Sequence, residues 1–396
     1  MLKILFFLLG LTANMTTFVV NISIVELNLF SVILYVTVFC GIIIFKKIRY
    51  FKGSLSSTPL IYYIAICLST LLSLLYMPDV WKGANINNLL TTIVGEISFL
   101  LLFDEKKMVY LCEYLIKGLK INCIIQSIWA VLQFILCVFA QIPLNYMLGL
   151  PNSYPKPLVS YQVCGLGYER AQLCVLLLLG ICLFENKFVK FLFFTVIILT
   201  ESRCGILMIS TYIITSIDYR HIHFHFDKKK IIGMLIALFG IIILFKQLFP
   251  YLLNSLQRFQ NMEFEASGSR HISYYVRLWD LIKKVDLFNV IFGFGIYGSG
   301  YPYAKYYGTG TLLEPWIVES NWLMVFWGSG IVGFSCWITW FISYLKRFFR
   351  VNRKMFGFIC SLFIGCIVYA LMPNFIVIPF VVCSYYFYKD NKVSRE

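Results

Sequence analysis

The chain has 396 residues and a net charge of +15, and 60% of its residues are hydrophobic while only 13% are charged. Its mean hydropathy of +0.80 excludes an ordinary water-soluble fold, because such a chain carries more apolar side chains than a soluble core can bury. The composition therefore predicts a protein that lies in a lipid bilayer.

The excess of positive charge does not predict binding to nucleic acid. Such binding needs a basic face on a soluble domain, whereas these lysines and arginines lie mostly in short segments between apolar runs. The 13 cysteines are scattered singly, without a CxxC pair, and so predict packing residues rather than metal ligands.

Apolar runs of the length of a bilayer crossing recur along the chain. A crossing takes about 20 residues, and its backbone groups must be bonded within a helix because the bilayer core contains no water. We therefore predict an all-α, polytopic membrane protein with about twelve transmembrane helices, built as a single membrane domain over residues 1–396. The predicted spans are 4–20, 27–45, 59–77, 88–103, 121–140, 170–184, 188–201, 204–217, 231–249, 316–342, 355–372 and 374–388.

Positive charge distinguishes the two sides of the predicted membrane domain. Most lysines and arginines fall at one set of alternate span ends, which includes Lys3, Lys120 and Lys389. The positive-inside rule assigns that set to the cytoplasm, so both termini are predicted to be cytoplasmic. Two long loops, 141–169 and 250–315, are then predicted on the outer side.

Residues 200–205, Thr-Glu-Ser-Arg-Cys-Gly, join two short apolar runs. A helical segment 188–217 would measure about 45 Å, whereas two perpendicular crossings need about 60 Å. Arg203 is therefore expected below the outer surface, where an arginine is costly unless it meets an anion or a water-filled cavity. A salt bridge to Glu201, or a side chain that extends to the interface, is the alternative.

Two arginines of the long outer loop are spaced so that they lie on the same face of a helix. Arg277 follows Arg270 by seven residues in a helix-like run, which is about two helical turns. Two guanidinium groups on one face suit a pyrophosphate, because each can bind phosphate oxygens bidentately. Ordinary helix pairing of Arg277 with Asp280 is the alternative.

Tyrosines are concentrated in the same loop, Tyr274 among them. Their rings could stack on sugars while their hydroxyl groups bond to sugar hydroxyls. An aromatic belt at the membrane interface explains them equally well.

Residues 293–298, Gly-Phe-Gly-Ile-Tyr-Gly, match the pattern GxGxxG. The surrounding sequence lacks the βαβ unit of a dinucleotide site. We predict a glycine-rich turn that folds the loop back on the membrane domain.

Two glutamates lie in or beside apolar runs. Glu319 begins an otherwise apolar segment, where burial would raise its pKa towards that of a general base. The alternative is a residue at a helix start that the macrodipole favours. Glu96, inside the fourth predicted span, is a second candidate for a buried acid.

Several of these sequence features occur in an order that is typical of one family of membrane proteins. They are residues 167–171 with Glu169 and Arg170, the turn 202–205, the outer loop with its arginines, and the segment after it. Together they resemble the O-antigen polymerase and ligase superfamily, the Wzy and WaaL-like membrane glycosyltransferases of the GT-C class. The resemblance covers roughly residues 160–340. Glu319 stands where the ligase branch has a histidine before a GxxG motif, here 330–333, and this favours the polymerase branch.

The resemblance implies a GT-C-like fold and a repeat-unit polymerase at the outer face of the bacterial cytoplasmic (inner) membrane. Its partners would be undecaprenyl-pyrophosphate-linked glycans and a membrane protein that regulates chain length, with no nucleic acid. It implies an inverting transfer in the synthesis of a surface polysaccharide, either lipopolysaccharide O-antigen or capsule, with no metal and no cofactor. The implied catalytic residues are Glu319, Arg203 and Arg277, and the implied substrate-binding residues are Arg270, Arg170, Glu169 and Tyr274. A ligase that transfers finished glycan to lipid A core and a flippase or other transporter of lipid-linked glycans are the alternatives.

Overall fold

The computed structural model of the protein describes residues 1–22, 25–45, 55–75, 86, 88–150, 163–217, 266–310 and 318–393. These residues are mostly helical, as predicted, and they include one short antiparallel hairpin of strands β1 (Val19–Ile22) and β2 (Val25–Asn28). The helices are α1 (Leu2–Thr12), α2 (Leu29–Phe45), α3 (Ser57–Ser73), α4 (Asn88–Leu102), α5 (Glu105–Ala140), α6 (Leu144–Met147), α7 (Arg170–Leu183), α8 (Lys187–Leu199), α9 (Arg203–Ser216), α10 (Ala266–Lys284), α11 (Leu287–Phe292), α12 (Tyr301–Tyr307), α13 (Asn321–Val351), α14 (Arg353–Val368) and α15 (Asn374–Val393).

Two helices, α5 and α13, are long and apolar enough to cross a membrane. Other apolar helices in the described ranges have 10–17 residues, which is below the roughly 20 residues of a full perpendicular crossing. Each predicted span within the described ranges thus contains a helix, although the bounds differ. The predicted span 231–249 lies outside the described residues.

The first helix is shorter than the predicted span 4–20, because α1 ends at Thr12. The polar side chains that follow bond to a distant part of the chain instead of continuing a helix. The Thr17 hydroxyl group donates to the carbonyl oxygen of Leu166 at 2.8 Å, and the backbone N–H of Tyr168 donates to the hydroxyl of Thr16 at 3.0 Å. Residues 14–17 therefore form a polar turn that holds the segment 163–168.

Helix α5 is longer than the predicted span 121–140. It begins at Glu105, where the Asp104 carboxylate caps it by accepting from the backbone N–H of Lys107 at 2.9 Å, and its 36 residues extend for about 54 Å. Helix α1 packs along its first half. A Cβ atom at Gly118 would overlap the backbone of Phe7, so the two helices approach each other as closely as a glycine permits.

Helix α13 is not straight, so the prediction of one continuous span over 316–342 is wrong. Gly330 has φ +62° and ψ −168°, which is not helical. The ring centroids of Trp322 and Trp337 are 6.0 Å apart. In a straight helix, two residues this far apart in sequence would lie about 22 Å apart along the axis. The part before Gly330 thus folds into a sharp V with the part after it, and residues 331–351 alone measure about 32 Å.

The glycine-rich segment 293–298 is a turn, as predicted, and it packs into this V. The backbone N–H of Phe294 donates to the carbonyl oxygen of Trp327 at 2.7 Å. Hydroxyl groups of α3 complete the bonding: the Ser69 hydroxyl donates to the carbonyl of Ser329 at 3.2 Å, and the Thr70 hydroxyl accepts from the N–H of Ile296 at 3.1 Å. The backbone groups at the break in α13 thereby find hydrogen-bond partners within the protein, as irregular backbone in an apolar bundle must.

We predict that Gly330→Ala strongly destabilises the fold. A Cβ atom there would overlap the backbone of Ile291, and a backbone with φ +62° and ψ −168° is essentially restricted to glycine. Gly308→Ala is the matched control, because Gly308 has φ +65° but nothing within 4 Å of its Cβ position. Thermal unfolding in detergent should show a clearly larger drop in Tm for Gly330→Ala, and equal drops would contradict the proposed close contact.

Candidate functional site

A partly buried hydrogen bond joins Glu169 to Tyr369 at one end of the bundle. Glu169 is the residue before α7, and its side chain does not cap that helix. The carboxylate instead accepts from the Tyr369 hydroxyl group at 2.5 Å, at the point where α14 has just ended. This contact fixes the start of α7 against the end of α14.

Glu319 and Arg170 lie close to this pair. The negative charge of Glu319 raises the pKa of Glu169, while the positive charge of Arg170 lowers it. The largest influence is burial, which raises the pKa of Glu169 because it disfavours the ionised form. Each of these three side chains is partly exposed, so the structure brings two carboxyl groups and one guanidinium group together where solvent reaches them.

The segment that carries Glu319 is bonded tightly to the chain after α14. The Asn321 side-chain oxygen accepts from the backbone N–H groups of Leu371 and Met372, the latter at 3.1 Å. The Asn321 N–H donates to the carbonyl oxygen of Tyr369 at 3.3 Å. Ser320, rather than Glu319, caps α13, so Glu319 precedes the cap and does not occupy the first helical turn.

Arg203 is the first residue of α9 and lies near the same end. Its neighbour Cys204 donates through Sγ to the carbonyl oxygen of Gly365 at 3.6 Å, and Tyr369 donates through its N–H to that same oxygen at 3.0 Å. Ser202 caps α9 by accepting from the N–H of Gly205 at 3.2 Å. The turn 200–205 thus reverses the chain beside the end of α14, with Glu201 in the left-handed region at φ +48°.

Helix α10 of the long loop is tied to this end by Tyr275. The Tyr275 hydroxyl group donates to the carbonyl oxygen of Ile367 at 2.5 Å and lies 2.7 Å from the hydroxyl of Ser320. Arg277, two residues later, stacks its guanidinium group on the ring of Tyr307 at 4.5 Å from the centroid. The α10 helix therefore lies over the residues that flank Glu319.

The remaining residues of α10 are placed as follows. Arg270 and Arg277 share this one helix, as the sequence indicated. Asp280 bonds to Tyr307 and forms an ion pair with Lys284 at 2.7 Å. Tyr274 is only 1% exposed, and its ring packs edge-on against Tyr303, so in this structure it contributes to packing rather than to an accessible sugar platform.

Glu96 lies apart from these residues, inside α4. It occupies a π-helical turn, Ile93–Ile97, and is 7% exposed. Its Oε2 atom has no hydrogen-bond partner among the residues that the structure describes. Glu96 is thus a buried acid, as predicted. Single π-helical turns are frequent at functional sites, so Glu96 stays a candidate for a functional role.

Sequence reasoning missed Tyr369, Asn321 and Tyr275. Tyr369 follows an apolar run, and Asn321 begins one. Their position at the border of such a run is the one signal in the sequence that could have identified them. Tyr275 is one of many tyrosines of its loop, and nothing in the sequence distinguishes it from the others. Their partners lie far away in sequence, so the contacts themselves leave no local pattern.

The site combines a proton acceptor with positive charge. A half-buried carboxyl group can accept a proton from a hydroxyl group, and guanidinium groups bind phosphate oxygens. Within the described ranges, no group of three or more His, Cys, Asp or Glu side chains could hold a metal ion.

No protein-family model matches the chain, and no curated protein matches it either.

We predict that Glu169→Gln raises the thermal stability more at pH 8 than at pH 5. The pKa of Glu169 is higher in the folded protein than in the unfolded chain. The wild-type protein therefore loses stability as the pH rises above the pKa of a glutamate in the unfolded chain. Glutamine keeps an acceptor for Tyr369 but cannot ionise. The Tm gain should be clearly larger at pH 8 than at pH 5, and a gain that does not depend on pH would contradict this origin.

Proposed function

We propose that the protein is a polymerase that joins lipid-linked oligosaccharide repeat units, carried on undecaprenyl pyrophosphate, at the outer face of the bacterial cytoplasmic membrane. The observation that carries this proposal is the cluster of Glu169, Arg170 and Glu319 at one end of an apolar helical bundle. A reaction of a charged lipid headgroup with a sugar hydroxyl needs a proton acceptor and anion-binding groups. The cluster supplies carboxyl groups as acceptors, and Arg203, the first residue of α9, lies near the same end.

The membrane topology is part of the same proposal. We infer about twelve crossings within the cytoplasmic membrane, with both termini in the cytoplasm and the Glu169 cluster at the outer surface. In support, α7 and α14 each extend from this cluster to an opposite end that is rich in positive charge, including Lys187, Lys190 and Lys354. Positive residues accumulate on the cytoplasmic side of membrane proteins.

In the proposed reaction, Glu319 is the general base. It takes the proton from a hydroxyl group of the acceptor repeat unit while that oxygen attacks the anomeric carbon of the donor glycan. The bond between this carbon and the pyrophosphate oxygen breaks, and the undecaprenyl pyrophosphate leaves with the bonding electrons. Attack from the opposite face inverts the anomeric centre.

Positive side chains receive the leaving group in this mechanism. Arg203, Arg270 and Arg277 bind the pyrophosphate, whose negative charge grows as the bond breaks. The hydrogen bonds of Tyr275 with Ile367 and Ser320 support the placement of α10 close to Glu319. Arg170 and Glu169 bind the acceptor sugar, and Tyr369 acts as a positioning residue that orients the Glu169 carboxylate.

We predict that Arg203→Ala and Glu319→Gln each abolish chain growth. The arginine variant loses anion stabilisation, and the glutamine variant loses the proton acceptor. The measurement is gel analysis of the surface glycan in the native host after complementation of a gene deletion. Arg350→Ala and Glu113→Gln, at exposed positions away from the cluster, are matched controls and should retain long chains.

The gene deletion separates this function from its rivals in a host with lipopolysaccharide. Lipid A core that carries a single repeat unit indicates a polymerase. Finished polymer that stays on the lipid carrier indicates a ligase, and repeat units trapped on the cytoplasmic leaflet indicate a flippase. Long chains made by Glu319→Gln at normal protein levels would reject its assigned role.

We predict that reporters fused to either terminus behave as cytoplasmic. Green fluorescent protein at the C-terminus should fluoresce, and alkaline phosphatase at the same place should be inactive. A phosphatase inserted within residues 308–310, in the proposed outer loop, should be active. The reverse pattern would contradict the proposed orientation without affecting the fold.

A further inference from the structure

A basic cavity lies at the end of the bundle opposite the Glu169 cluster. Helix α7 ends there at Leu183 and α14 begins there at Arg353, so the cavity lies about 20 Å from that cluster along α7. Its volume is about 440 Å³. Three cationic side chains, one carboxylate and two aromatic rings are among its lining residues: Lys120, Arg353, Lys354, Glu185, Tyr386 and Phe387.

The charges in this cavity are unbalanced. Lys354 forms an ion pair with Glu185 at 2.8 Å, and the Glu185 side chain is 83% exposed. The bond and the charge of Lys354 hold the pKa of Glu185 below its usual value, and the charges of Lys190 and Lys120 lower it further. One carboxylate therefore faces three cationic lining groups, which leaves the cavity with a net positive charge.

Two of the cationic groups are held in place by aromatic rings rather than by carboxylates. The Lys120 ammonium group lies 5.4 Å from the ring centroid of Phe184, and the Arg353 guanidinium group lies 4.1 Å from that of Phe349. The start of α14 adds to this field, since the positive end of a helix dipole attracts anions. The cavity is thus a preformed anion site with apolar walls, which include Leu183 and Val351.

We infer that this cavity binds the phosphodiester headgroup of an anionic phospholipid. The volume lies in the range of small-molecule sites, and the cationic groups suit the phosphate while the apolar wall suits the glycerol and the first carbons of an acyl chain. Basic pockets between helices on the cytoplasmic side bind anionic headgroups in this way. The inference rests on the membrane placement in the proposed function, but not on the glycosyl transfer.

Native mass spectrometry of the full chain, released from nanodiscs of equal parts phosphatidylglycerol and phosphatidylcholine, tests the inference. We expect the wild-type protein to retain phosphatidylglycerol preferentially. The double variant Lys120→Gln/Arg353→Gln should weaken that preference by about fivefold for each lost positive charge. Lys106→Gln, at an exposed position of α5 outside the cavity, is the matched control and should behave as wild type.

Glu185→Gln gives an independent readout that does not depend on a loss of binding. It removes the carboxylate that competes with phosphate for Lys354, so retention of phosphatidylglycerol should increase. Equal retention in the wild type, the double variant and Glu185→Gln would overturn the inference. Displacement of the retained lipid by inorganic phosphate would assign the site to free phosphate and overturn the lipid assignment.

The same experiment distinguishes the two proposals. A wild-type chain that does not enter nanodiscs would overturn the membrane placement, and with it both the lipid site and the proposed function. Selective lipid retention in a protein whose deletion leaves glycan polymerisation intact would reject the polymerase alone.

Discussion

Every helix that ends or bends inside this apolar bundle must find partners for the backbone groups that it leaves unbonded. The chain meets this constraint with short polar side chains placed at the breaks. Asn321 bonds two N–H groups after α14, and Thr70 bonds the N–H of the turn that enters the V of α13. These polar contacts bond the irregular backbone, and the candidate site residues lie on or beside it.

The candidate site follows from the same rule. Three breaks meet at one end of the bundle: the start of α7, the turn before α9, and the chain between α14 and α15. Glu169, Arg203 and Tyr369 lie at these three breaks, and Glu319 lies just before α13. The candidate residues of this cluster therefore lie where helices begin or end.

The sequence predicted the helical class well because each apolar run is bordered by polar residues. Arg203 and Glu319 are candidates from the sequence because charged residues beside apolar runs stand out, whereas Glu169 and Arg170 are candidates only through the family resemblance. The sequence did not predict the contact between Glu169 and Tyr369, which are 200 residues apart, because no local pattern encodes such a distance. The sharp bend at Gly330 was missed for a related reason: its GxxG motif was visible, but only the close approach of residues 291–296 requires the glycine.

The bond between Thr17 and Leu166 has a consequence for biosynthesis. The two residues are 149 positions apart, and a ribosome that adds about 5–20 residues per second needs roughly 7–30 s to cover that distance. During this interval the polar turn after α1 exists without its final partner. The backbone and hydroxyl groups of this turn must therefore find other partners in the nascent chain, and the N-terminal segment reaches its mature environment only after nearly half of the polypeptide has been made.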